Sequence, residues 1–386
     1  MLKVIIYLLA VFGLLSFGVF AIDFTLLLKK RLSHKNVTGW QDPKAWEKAV
    51  VACGTKWMHN PPVVPLKDEQ RLVIIDMLKR QYKVSCVSAW QRAQLICGLA
   101  ANGVDVKESP KDWLFAVTEI DYGYAIYHSW RAGMIEDDAA LALMEKFLVI
   151  VDARTKENGL IMYRDGFGDV RIVDTLAFVC PALIRYGIQT GKRKYVDLAM
   201  AQLKHYYQHA YLEDYGLYAH GYDCVTGTPC ESIGWGRGTG WYLLGILYCY
   251  QEMEQGQEKT WLYEKMVEAA NNILKYQRAD GGWSTQLVSK WNYDSSATAI
   301  FATFLYELYA IVGEKAYWEA AQKAAAKLMA STTKDGAIEF CEGDCHGVGR
   351  YSTRYSISPF TQGMVLDMIA ARKKACREAE QPNRSV

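Results

Sequence analysis

The chain has 386 residues, of which 51% are hydrophobic and 22% charged, and its net charge is +2. That composition supports one large domain or two medium ones around a sizeable core. The near-neutral balance excludes nucleic acid as the main partner, and no RRM, zinc-finger or arginine-rich signature is present.

Residues 4–22 carry no charge, a run long enough to span a bilayer. Lys3 ahead of the run and Val19, Phe20 and Ala21 at its end resemble a cleavable signal peptide. The length of the run, and its continuation through Leu26, Leu27 and Leu28, favour an uncleaved single-pass anchor. Residues 1–35 are therefore read as a membrane anchor or signal segment and residues 36–386 as the folded domain. Lys29, Lys30 and Arg31 outnumber Lys3, which by the positive-inside rule leans towards a cytoplasmic domain. Signal cleavage would instead make the domain secreted or periplasmic.

From about residue 40 helical periodicity dominates. The stretches at 137–155, 173–187, 195–210, 240–254, 261–277, 296–313, 316–331 and 358–375 carry apolar residues at helical spacing. Pro181 is expected to kink its helix and Gly187 to stop it. Between the helices, loops combine a glycine turn with an aromatic or apolar residue and a polar tail. Their glycines, Gly159, Gly216, Gly282 and Gly336, are 57, 66 and 54 residues apart. Two helices and two connections fill such a span, so the unit is a helical hairpin. Six hairpins fit beyond residue 40. No capping repeats or tight consensus mark a solenoid. The expected fold is all-α, an (α/α)6 barrel with an N-terminal hydrophobic segment.

The ten cysteines leave the compartment open. Cys53, Cys86, Cys97, Cys180, Cys249 and Cys376 lie in apolar or helical stretches, as buried thiols do. Cys224 with Cys230, and Cys341 with Cys345, could form short disulfides, and neither pair has C-x2-C metal spacing. His205 and His209 are four apart without an HExxH motif, which reads as a polar helix face.

The stretch CESIGWGRGTGWYLLGIL, residues 230–247, places glycine at 234, 236, 238 and 240. It is not a dinucleotide loop, because Thr239 and Trp241 stand where G-x-G-x-x-G needs its last glycine. Alternate glycines permit positive φ and close approach of a ligand. Thr239 is placed to cap a helix starting near Trp241, Arg237 supplies a planar cation, and Trp235 and Trp241 supply flat walls. This describes a pocket for a carboxylate-bearing sugar. It also describes a loop in which the tryptophans staple two hairpins and Arg237 is salt-bridged. Asp121 and Asp174, 53 residues apart, each open an apolar helix after a loop. One hairpin repeat between them places both at one rim of a toroid, where paired carboxylates suit glycoside chemistry. Each also suits an N-cap. His220 lies in the same set of loops.

The ordered motifs DTLAFVCPALIRYG, YGLYAHGYD, WGRGTGW, DGGWSTQL, SSATAIFATFLYELYA and FTQGMVLDMIAA resemble glycoside hydrolase families 88 and 105, the unsaturated glucuronyl and rhamnogalacturonyl hydrolases. The likeness runs from about Asp121 to Ala371. It implies an (α/α)6 barrel, no metal or organic cofactor, and an oligosaccharide substrate ending in a 4,5-unsaturated uronic acid made by a lyase. It implies protonation of C4 of the vinyl ether, hydration at C5 and release of the sugar. Asp174 falls on the acid's position and Asp121 on its partner carboxylate. His220, Arg237 and Arg164 fall on substrate-contacting positions, with Trp235 and Trp241 as walls. Thr239 departs from the family's usual Asn, and Ile172 from a frequent aromatic. Rhamnogalacturonan-type substrates are favoured. The alternatives are another (α/α)6 carbohydrate enzyme, such as a saturated glucuronidase, lyase or epimerase, or an inactive membrane-tethered glycan-binding protein.

Overall fold

The computed structural model describes residues 1–33, 37, 39–62, 87–289, 292–345 and 347–379. Cys86 and the proposed 35/36 boundary lie outside them. The described helices are α1 (Leu2–Ser33), α2 (Pro43–His59), α3 (Ala89–Ala101), α4 (Tyr122–Arg131), α5 (Asp137–Arg154), α6 (Asp174–Thr190), α7 (Arg193–Ala210), α8 (Gly236–Glu252), α9 (Gln257–Leu274), α10 (Ser295–Val312), α11 (Lys315–Ala330) and α12 (Pro359–Ala379).

Six of them close a ring. α3 packs on α4, α4 on α6, α6 on α8, α8 on α10, α10 on α12, and α12 back on α3. α2, α5, α7, α9 and α11 lie outside this ring against the inner helices. The outer position between α3 and α4 is taken by residues 102–121, which form turns. The chain is thus the (α/α)6 barrel that the hairpin repeat implied, with one outer helix replaced by an irregular connection. Glycines let the inner helices touch. A Cβ on Gly98 would lie 2.4 Å from the Gly363 carbonyl, one on Gly363 2.4 Å from the Gln94 carbonyl, and one on Gly123 2.2 Å from the Phe178 carbonyl.

α5, α7, α9 and α11 each return to an inner helix through a glycine turn. Thr155 bridges Ile161 around Gly159, and Thr332 bridges Ile338 around Gly336. β2 (Tyr211–Leu212) pairs with the start of β3 (Leu217–Asp223) around Gly216. In the fourth such turn the positive φ belongs to Gly281 rather than Gly282, which packs against the Tyr293 ring. The connections also carry the short strands. β1 (Val170–Ile172) and β4 (Pro229–Ile233) flank β3 in antiparallel pairing, and β5 (Cys341–Glu342) pairs with β6 (Tyr355–Ser356). These connections gather at one end of the barrel, where the inner helices begin.

Two helix boundaries differ from the sequence reading. Gly187 does not end α6, which runs on to Thr190 and is closed by Gly191 in the left-handed region. Gly187 is instead where the next helix approaches, since a Cβ there would lie 2.8 Å from Val196 Cγ2. Pro181 sits inside α6. α1 is one helix of 32 residues whose apolar stretch, Leu2–Ile22, is unburied. Beyond it Val37 bridges Thr333, and Trp40 Nε1 donates to the Thr333 carbonyl at 3.0 Å. The nine described cysteines are free thiols, Cys224, Cys230, Cys341 and Cys345 among them.

If the α3–α12 contact is as close as these glycines indicate, Gly363→Ala should cost about 1–3 kcal/mol by overpacking. A denaturant melt checks this, and a wild-type midpoint would contradict the close crossing.

Candidate active site

The inner helices start around a cavity of about 670 Å³. Asp121, Asp174, Arg164, His220, Trp235, Arg237 and Trp241, all seven residues singled out in the sequence, line it. Its floor is aromatic. The Trp241 ring lies 4.9 Å from Phe178, 5.0 Å from Phe360 and 5.6 Å from Trp90. These rings come from the first two turns of α3, α6, α8 and α12, so the floor exists because the inner helices start together.

Neither carboxylate is spent on its helix. Asp121 precedes α4 without a side-chain capping bond. Asp174 is the first residue of α6 rather than its cap, a place held by Val173. β1 explains the position of Asp174. Ile172 pairs with Gly221, and Val173 N–H donates to the His220 carbonyl at 3.0 Å. That register sets His220 beside the start of α6, with Nε2 3.5 Å from Asp174 Oδ2. His220 Nδ1 meets the Tyr351 hydroxyl at 2.9 Å, and its ring lies 4.6 Å from that of Trp235. Asp174 Oδ2 and His220 Nε2 are buried without a hydrogen-bond partner.

Asp121 is differently held. Arg164 Nη2 donates to its Oδ2 at 2.8 Å and also lies 3.2 Å from Glu119. Burial pushes the Asp121 carboxyl up to about 6, with Glu119 and Asp174 adding to the rise while Arg164 and the Tyr163 hydroxyl oppose it. The site thus holds one carboxyl that keeps its proton to unusually high pH and a second facing a histidine.

The glycine-rich stretch is built differently from the sequence reading. α8 begins at Gly236, with Trp235 as its N-cap, and Thr239 lies inside the helix with its hydroxyl unpartnered. Thr239 is therefore no cap. Of the four alternate glycines only Gly234 has positive φ. The other three serve close packing, since a Cβ would lie 2.6 Å from the Ser284 carbonyl at Gly236, 2.4 Å from the Trp235 ring at Gly238 and 2.7 Å from Ile300 at Gly240. Arg237 is not at an open rim. It is 4% exposed, and its guanidinium donates to the carbonyls of Glu342 and Gly343, both at 2.7 Å. Glu342 is buried below the cavity wall. Its Oε2 accepts the Trp235 indole N–H at 2.8 Å and lies 4.0 Å from Arg237. Its N–H donates to Asp294, which caps α10. Burial pushes the Glu342 carboxyl up to about 8, with Arg237 opposing and Asp294 reinforcing the shift.

Tyr163, Phe167, Phe178, Trp90, Asp344, Cys345, Val348 and Arg350 also line the cavity and were not foreseen. A signal for Tyr163 was available, since it adjoins Arg164 in the same loop. Arg350 and its neighbours come from the α11–α12 connection, where no motif marked them. Burial pushes the Cys345 thiol up to about 12, away from the thiolate form, with Asp174 adding to the rise. His205 pairs with the Tyr222 hydroxyl at 2.7 Å, away from the cavity-lining set.

The chain matches known proteins over most of its length. The model of Glycosyl Hydrolase Family 88 matches residues 122–375. An unsaturated 3S-rhamnoglycuronyl hydrolase of Formosa agariphila is 30% identical over 130 residues, 31% of this chain and 34% of that protein. The match thus spans about a third of that relative's length. Among solved structures, a possible GH105 member from Klebsiella pneumoniae superposes with a TM-score of 0.69 at 16% identity, covering 86% of this chain and 94% of that one. A heparin-specific unsaturated glucuronyl hydrolase gives 0.65 at 18%, covering 87% and 97%. The unsaturated glucuronyl hydrolase of Bacillus sp. GL1 gives 0.62 at 18%, covering 86% and 96%. At these identities the three structures establish the shared fold.

Two outcomes follow from the geometry. A carboxyl raised by folding stabilises below its unfolded pKa and loses that advantage as pH rises through the folded value. Asp121→Asn, which mimics the neutral form, should therefore gain on the order of 2–3 kcal/mol over wild type near pH 8 and nothing near pH 3. Denaturant melts across pH check the sign. Arg237→Lys should cost about 1–3 kcal/mol of stability, because an ammonium cannot serve both carbonyls and leaves a buried acceptor unpaired. An unchanged melting midpoint would return Arg237 to a purely ligand-facing role.

Proposed function

This chain belongs to glycosyl hydrolase family 88, and from that premise we propose that it removes a terminal 4,5-unsaturated uronic acid from lyase-generated oligosaccharides. One observation carries the reading. Two buried carboxylates, each at the start of an inner helix and neither capping it, line one aromatic cavity. Asp174 gives a proton to C4 of the vinyl ether, and its carboxylate then takes a proton from the water that adds at C5. The resulting hemiketal opens, and the hemiacetal left at C1 expels the sugar alcohol. Electrons leave the C4=C5 bond to form C4–H, and the water oxygen becomes the C5 carbonyl, so no redox partner enters. Asp121 is the partner carboxylate on the same cavity. His220 orients Asp174, and Trp235 and Trp241 wall the sugar. Arg164 and Arg237 supply positive charge for the uronate, Arg237 chiefly through its field because its donors hold backbone carbonyls.

The raised pKa of Asp121 favours one second reading, in which Asp121 is the proton donor and Asp174 activates water. The Formosa relative, a rhamnoglycuronyl hydrolase by name, supports a rhamnose-bearing leaving group. We also read α1 as a retained anchor rather than a removed signal, because its helix continues past the apolar stretch to Ser33.

Purified full-length chain mixed with lyase-generated rhamnogalacturonan and glucuronan oligosaccharides should bleach the ultraviolet absorbance of the C4=C5 bond, faster on the former. Asp174→Asn should lower kcat by about 10²–10⁴, the range for a general acid–base group, while calorimetry finds substrate binding within a few fold of wild type. Loss of binding with intact turnover per bound substrate would remove Asp174 from the chemistry.

A further inference from the structure

We propose that Tyr351 is a positioning residue for the proton transfer: its hydroxyl holds His220 as the Nε2–H tautomer, and that N–H faces Asp174 Oδ2, so that the acid proton is carried on Oδ1. The proposal rests on reading Asp174 as the proton donor and adds the oxygen from which the proton leaves.

The first observation is that His220 is fixed at backbone and ring. Its carbonyl accepts the Val173 N–H at 3.0 Å and the Tyr206 hydroxyl at 2.9 Å. Its buried ring lies 4.6 Å from that of Trp235 and 5.6 Å from that of Tyr351. Nδ1 meets the Tyr351 hydroxyl at 2.9 Å, and Nε2 faces Asp174 Oδ2 at 3.5 Å. A neutral imidazole has one proton for its two nitrogens. What Tyr351 does at Nδ1 therefore decides what Asp174 meets at Nε2. Tyr351 is equipped to donate. Burial raises its phenol above the ordinary tyrosine value, so the hydroxyl keeps its proton. The Ser232 N–H acts on the phenol oxygen as a donor, opposing that rise. The phenol's own proton is then free for Nδ1, and the ring proton stays on Nε2.

The second observation is the asymmetry of the Asp174 carboxyl. Oδ2 is sealed against the imidazole, and both it and Nε2 are buried without another hydrogen-bond partner. Asp174 nevertheless lines the cavity, so Oδ1 is the oxygen open to a substrate. The reverse tautomer would set a bare Nε2 against the carboxylate oxygen, two lone pairs facing each other where neither reaches water. Only a proton on Oδ2 would relieve this, and such a proton would lie between Asp174 and the ring, away from the cavity. With Nε2–H in place, Oδ2 accepts in both states of the carboxyl and the proton sits on Oδ1. In the reaction the Oδ1–H bond breaks as the C4=C5 electron pair forms C4–H. The water oxygen then closes on C5, and the water's proton returns to the carboxylate. The separation between Nε2 and Oδ2 shortens as Asp174 takes on charge, as catalytic hydrogen bonds do on passing from the free enzyme to the transition state.

The test reads the ring-nitrogen NMR shifts of the full-length chain, isotopically labelled at its seven histidines and recorded at alkaline pH, with His220→Gln to assign the signals. Wild-type His220 should show a protonated Nε2 and an unprotonated Nδ1. Tyr351→Phe keeps the ring and removes the hydroxyl. It should move His220 towards a mixture of tautomers and lower kcat roughly 10–100-fold, short of the loss of about 10⁴ when a triad histidine is left in the wrong tautomer. KM should stay within twofold. A protonated Nδ1 in the wild type overturns the proposal. So does a Tyr351→Phe enzyme with parental kcat, or one whose loss falls on KM. If Tyr351→Phe fails to fold, the wild-type shifts decide alone. All of these outcomes leave the donor reading standing, whereas Asp174→Asn turning over at the parental rate removes that reading and the proposal with it.

Discussion

The site depends on one buried charge cluster. Arg237, in the first turn of α8, holds the backbone carbonyls of Glu342 and Gly343, while Glu342 holds the Trp235 indole and reaches Asp294 at the start of α10. Three segments far apart in the chain are thereby locked at one rim. The Trp235 wall, the His220 ring packed near it and the Tyr351 hydroxyl on His220 all take their places from this lock. Breaking one partner would leave a buried charge or acceptor unmatched, which is why the cluster constrains the site more than any apolar contact does.

Around that lock the barrel acts as a device for collecting helix starts. Inner helices that close a ring and all begin at one end bring their first residues onto a common rim. Asp121 and Asp174 are two of those residues, and the backbone uses neither side chain as a cap. Their surroundings differ. Asp121 is buried with an arginine on one oxygen, whereas Asp174 faces an imidazole across 3.5 Å.

Much of this was legible in the sequence, for identifiable reasons. Apolar periodicity and glycine turns at hairpin spacing are local signals, so the helices, the barrel and the shared rim of Asp121 and Asp174 could be read from them. Glycine itself was ambiguous. Gly236, Gly238 and Gly240 serve close packing, as Gly187 does within α6, and nothing in a single sequence separates a glycine that needs positive φ from one that needs a missing Cβ. Arg237 looked ligand-facing because its partners, Glu342 and Gly343, lie more than a hundred residues away and both contacts are to backbone. The contributions of Glu342, Tyr351 and Arg350 were invisible for the same reason, since the α11–α12 connection reaches the mouth only once the ring is closed.

The central claim is that this cavity adds a proton to carbon rather than to a glycosidic oxygen. A single turnover in D2O, with the released uronate examined at once by NMR, tests it most directly. The account predicts one deuteron at C4 of the product and disappearance of the double bond in step with sugar release. Release of an intact unsaturated uronic acid, its double bond kept and C4 free of deuterium, would contradict it and make the enzyme an ordinary glycosidase on the same fold.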